Sequence, residues 1–124
     1  MRISYHKSGR YIEQDNVKLQ DILEIVQGLN ETDSNYIHIW NDAVDLSVLG
    51  GHPDRLVVVN RPNGRLVDTD YTKVDGDISM RVDDGTTDIH PIYQTVTKGY
   101  ASKIVKHILE QGKPPKESQW TTDY

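Results

Sequence analysis

The chain has 124 residues, no cysteine and a formal net charge of −5, with 31 aliphatic side chains from Leu, Ile and Val. One domain of ordinary size is expected, with an aliphatic supply too rich for wholesale disorder and no thiol available for a disulfide, a nucleophile or a cysteine zinc site. No apolar run approaches the roughly 18 residues of a membrane helix, and the opening MRISYHKSGR lacks the apolar stretch of a secretory signal, so a cytoplasmic location is expected.

In chain order, Ile3–Tyr5 and Arg10–Glu13, separated by Ser8 and Gly9, predict a short hairpin. Val17, Leu19, Ile22, Leu23, Ile25, Val26 and Leu29 recur at spacings of three and four, which predicts a helix over 17–29 with Asn16 as its cap and Gly28 at its stop. From residue 35 the pattern turns to strands: 36–40, 44–49, 55–59 and 65–68. Asn63-Gly64 supplies the last turn of this series. Residues 78–82 and 87–92, split by Asp83-Asp84-Gly85, form a further predicted pair, with Pro91 confined to a strand end or edge. A final helix is expected over 98–111, with Thr97 as cap, Gly112 at the stop and a stripe of Tyr100, Ala101, Ile104, Val105 and Ile108. The expected class is α+β: one domain over 1–124, an antiparallel sheet with an N-terminal and a C-terminal helix packed on it.

Charge is unevenly spread. Residues 33–96 carry eleven Asp against five cations, a local balance of −6, whereas residues 97–124 carry +2. Such a middle disfavours direct contact with nucleic acid, which needs clustered Lys and Arg, and suits a basic protein partner.

The chemical motifs have simple structural accounts. His90 and Asp88, two apart on a strand, share a face and have the form of a base with an orienting acid, but no nucleophile accompanies them. His6, His38, His52, His90 and His107 are scattered one to an element and match no metal signature. The run 68–77 alternates Asp as calcium loops do, yet lacks the closing Glu and has its Gly out of register, so turn-forming Asp suffices. No metal and no cofactor is expected. Trp40 and Trp120 are expected to pack on the core, with an interface anchor as the other role open to either.

The tail YASKIVKHILEQGKPPKESQW, residues 100–120, resembles the closing signature of the immunity protein 1 family of bacterial polymorphic-toxin and contact-dependent growth inhibition systems. The matching positions are Ala101, Val105, Ile108, Leu109, Gly112, Pro115 and Trp120, and the helix 17–29 with the strand YIHIW fits the same layout. The resemblance covers about residues 17–120. It implies a cytoplasmic inhibitor, not an enzyme, that forms a heterodimer with the C-terminal toxin domain encoded beside it, a nuclease or nucleic-acid deaminase with a basic substrate surface. Combined with the charge pattern, it nominates the sheet-loop acids Asp68, Asp70, Asp75, Asp77, Asp83 and Asp84, with Tyr71 as aromatic anchor, as the toxin-binding residues. The rivals are an acidic adaptor module without a toxin partner and a small hydrolase using His90.

Overall fold

The computed structural model describes residues 1–68, 76–82 and 86–122. Strands β1 (Arg2–Lys7) and β2 (Arg10–Gln14) form the opening hairpin. Its turn places Ser8 and Gly9 at φ 52° and 77°, the paired positive values that suit strand twist in a two-residue loop. Helix α1 (Leu19–Gln27) follows, then β3 (Tyr36–Trp40), β4 (Asp45–Leu49), β5 (Arg55–Asn60) and β6 (Gly64–Val67). A second hairpin comprises β7 (Asp77–Arg81) and β8 (Thr87–Pro91), with Pro91 as its last residue. A 3-10 turn over Ile92–Gln94, a two-residue strand β9 (Val96–Thr97), helix α2 (Lys98–Gln111) and β10 (Gln119–Thr121) complete the order.

The main sheet is antiparallel in the order β10-β6-β5-β4-β3-β1-β2, with β9 added to β5, while β7 and β8 pair only with each other. The α+β class is therefore as expected, but the helices are not terminal. The expected hairpin β1–β2 precedes α1, and β10, which was not expected, returns after α2 to pair with β6. Nothing in Gln119-Trp120-Thr121 has strand periodicity. The return is set by tertiary contacts, with Trp120 packed on the core and its Nε1 donating to Ser118 Oγ at 2.8 Å.

Period-two alternation divides the sheet. Ile3, Ile37, Ile39, Leu46, Val48, Leu56, Val58 and Leu66 point to one face, where they meet Ile22 and Val26 of α1 and Ala101, Ile104, Val105 and Ile108 of α2. The two helices also touch: Gln27 Nε2 donates to Ser102 Oγ at 2.5 Å, and Lys98 Nζ caps the end of α1 by donating to Leu29 O at 2.6 Å.

Two expected local features shift. Asn16 does not cap α1. It adopts a left-handed conformation at φ 55°, because the next N–H, that of Val17, donates to Met1 O at 3.1 Å and holds the chain against β1. The helix starts after Lys18, which gives no side-chain cap. Asn63-Gly64 is likewise not a two-residue turn: Asn60 pairs with Gly64, so Arg61, Pro62 and Asn63 form the loop, and Gly64, at φ 98°, opens β6. Helix α2 matches expectation at both ends, with Thr97 Oγ1 accepting from Tyr100 N and Gly112 left-handed at φ 78°.

The β7–β8 hairpin is docked through Gly51. Arg81 N donates to Gly51 O at 2.8 Å, and a Cβ on Gly51 would lie 1.9 Å from Arg81 O. Gly51→Ala is therefore expected to cost about 1–3 kcal/mol, as overpacking does. Urea unfolding checks this, and an unchanged midpoint would show that the hairpin is not held at this point.

Candidate functional site

Of the nominated acids, the structure describes Asp68 and Asp77; Asp70, Tyr71, Asp75, Asp83 and Asp84 lie outside the described residues. Asp77 is exposed at the start of β7, opposite Pro91. Asp68 is half-buried after β6 and faces Tyr100, whose phenol is pushed above its ordinary pKa by burial first, then by the carboxylates of Asp68 and Glu117. The two described acids therefore differ in exposure: Asp77 is exposed, and Asp68 is half-buried.

His90 and Asp88 do not form a base with its orienting acid. His90 is 5% exposed, and its Nδ1 lies 3.1 Å from Arg65 Nη1. A guanidinium only donates, so Nδ1 accepts and the imidazole proton sits on Nε2, a buried atom with no hydrogen-bond partner among the described residues. Arg65 Nη1 also donates to Gln94 Oε1 at 3.0 Å, and Gln94 Nε2 to Tyr93 Oη at 3.0 Å. Burial lowers the His90 pKa most and the Arg65 charge lowers it further, against an opposing effect from Asp88. These groups border an open cleft of about 460 Å³ beside Ile89. The chemistry of the cluster is that of a polar clamp joining the second hairpin to β6.

The other histidines have local partners of their own. His52 Nδ1 accepts from Asp54 N and Arg55 N at 3.1 and 3.2 Å, and His107 Nδ1 donates to Lys113 O at 3.0 Å. Among the described residues, no three His, Asp or Glu side chains gather in a way that could hold a metal ion.

The sheet face away from the helices carries a constellation that sequence reasoning did not assemble. Over β5 and β6 this face is covered: Val57 and Val67 are buried there, close to the Arg65–His90–Gln94 clamp. Over β2, β1, β3 and β4 no element of the described residues covers it, although Ser4 is buried among its neighbours. There Tyr11 faces His6 and Tyr36 faces Leu49, and a second row runs Glu13, Ser4, His38, Ser47 and Val59. A third row runs Arg2, Trp40 and Asp45. His38 stacks on Trp40 with ring centroids 4.5 Å apart and 20° between planes, and the Arg2 guanidinium lies 5.3 Å from the Trp40 ring centroid. Arg2 is held by Glu13 at 2.7 Å and Asp15 at 2.6 Å; Asp45 accepts from His38 Nε2 at 2.7 Å and lies 3.8 Å from Arg61 Nε. Trp40 therefore does not join the core. It was legible as a surface residue only through parity, since Tyr36, His38 and Trp40 alternate with the buried Ile37 and Ile39.

No protein-family model matches this chain, and no curated protein is similar to it.

The depressed pKa of His90 has a defined stability consequence. The folded protein holds the imidazole neutral below the ordinary value of 6.5, so its contribution is complete above that value. It is lost as pH falls through 6.5 toward the folded pKa, because the unfolded chain takes up the proton first. His90→Gln should therefore weaken the fall in unfolding free energy between about pH 7.5 and about pH 5.5 relative to the wild type. Urea titrations of both proteins at each pH measure the difference; parallel slopes would remove His90 as the cause.

Proposed function

We propose that this chain is an immunity protein: a cytoplasmic, non-enzymatic binding domain that neutralises a cognate bacterial toxin of nuclease or nucleic-acid deaminase type by occluding its active or substrate surface. The observation that carries the proposal is the charge distribution, a balance of −6 within residues 33–96 of a chain of net charge −5. A protein that acts on nucleic acid presents a basic surface to its substrate, and an acidic inhibitor competes for that surface at high encounter rates. The tail that resembles the immunity protein 1 family adds family-level support. In this fold its residues serve packing, with Ala101, Val105 and Ile108 in the core, Pro115 buried and Trp120 laid against the core.

In the proposed complex, the acids Asp68, Asp70, Asp75, Asp77, Asp83 and Asp84 steer the toxin, and Tyr71 adds an aromatic side chain. Long-range attraction of this kind weakens as salt screens it, whereas a desolvated contact holds.

Co-expression with the toxin domain encoded beside it tests the proposal. Cells carrying the chain should grow while cells lacking it are poisoned, and the tagged chain should retain that domain through a high-salt wash. Poisoning in both, with no retained domain, removes the immunity function. Reversing Asp70, Asp75, Asp77, Asp83 and Asp84 together to Lys should lower affinity by about tenfold or more, chiefly through the association rate, with an unaltered circular dichroism spectrum. Equal association rates would take these loops out of the encounter.

A further inference from the structure

We infer that the open half of the outer sheet face, centred on Trp40, is the docking surface for a basic protein, and that it supplies the short-range anchor of the complex proposed above, on which the assignment rests.

An antiparallel sheet with helices on one side only normally shows water a polar opposite face. Here the exposed half departs from that pattern. Tyr11, which is 59% exposed, and the half-buried Tyr36, His38 and Trp40 share it with the half-buried Leu49. Trp, Tyr and Arg are the residue types in which binding energy concentrates, and they act best when already held in place. Trp40 is held: its ring is stacked by His38, which is tied to Asp45, and lies beside Arg2, which is tied to Glu13 and Asp15. The anchor is built on strands, and its two flanking side chains are each tied by hydrogen bonds, Arg2 to Glu13 and Asp15 and His38 to Asp45, so less side-chain freedom remains to be lost on docking.

Charge selects the occupant. Around Trp40, the carboxylates of Glu13, Asp15, Asp45 and of Asp42, in the turn after β3, number four against the two guanidiniums of Arg2 and Arg61. Aromatic rings on a sheet also suit stacking of single-stranded nucleic acid, but that mode requires a positive groove for the phosphates, and this rim has two negative charges in excess. A basic protein surface, offering Lys or Arg to the rim and an apolar contact to the ring, satisfies both features. The surface lies on strands β1 to β4, whereas the nominated acids fall at 68–84 in the sequence, so steering and anchoring fall to different parts of the chain.

The test uses the toxin domain recovered in the co-expression experiment. Trp40→Ala should raise the dissociation constant roughly 30-fold or more, mainly through faster dissociation, and Trp40→Phe should restore most of the affinity. Because Trp40→Ala also alters the sheet face, the unaltered residue is watched directly. With 5-fluorotryptophan in this chain alone, the two fluorine resonances are assigned by Trp120→Phe, and the Trp40 resonance should shift and lose solvent accessibility when the toxin domain is added. Wild-type affinity in Trp40→Ala together with an unmoved Trp40 resonance overturns the docking surface while leaving the immunity function intact. A Trp40 resonance that responds to oligo-dT but not to the toxin domain reassigns the face to nucleic acid, and one that shifts on self-association reassigns it to a second copy. If the wild type binds no toxin domain, the immunity function and this anchor fall together.

Discussion

Both helices lie on the same face of the sheet, and most of the molecule's organisation follows from that constraint. Strand alternation sends every second side chain to the helix side, so the core is a single layer of Ile, Val and Leu between sheet and helices. The opposite face then has no regular cover. The chain deals with it in two ways: over β5 and β6 it lays a short hairpin, and over β1 to β4 it leaves rings and ion pairs in the open.

The cover is held by polar chemistry more than by apolar area. Arg65 reaches from β6 to His90 and Gln94, Arg55 donates to Thr95 through Nε at 3.0 Å and Nη2 at 2.5 Å, and Gly51 accepts from Arg81. Two arginines that the charge inventory would place in solvent are thus taken up in fixing one layer to another. Buried or half-buried guanidiniums of this kind are geometrically demanding, because several donors must be satisfied at once.

Much of this was legible in the residues. Helix α2 was readable to the residue because its stripe, Thr cap and Gly stop agree with one another. Strands β3 and β5 were readable because β-branched and aromatic residues cluster between turn formers. What escaped was set by contacts distant in sequence. The start of α1 depends on a bond from Val17 to Met1, and β10 depends on β6, more than fifty residues earlier. The site shows the same division. Asp77 opens strand β7 instead of lying in a loop, Asp68 is half-buried after β6, and the rows around Trp40 exist only once the strand register is known.

Gly64 carries a consequence for solubility. A Cβ at this position would lie 2.2 Å from Thr121 O, so β10 can lie along β6 only because residue 64 has no side chain. Strand β10 is three residues long and closes one margin of the sheet, while β2, with Arg10 and Glu13 along it, forms the other. Short or charged margins are the means by which sheets avoid growing into one another. A single hydrogen atom in place of a methyl group therefore keeps β6, a strand with an apolar Leu66-Val67 pair, from becoming a template for a neighbouring chain.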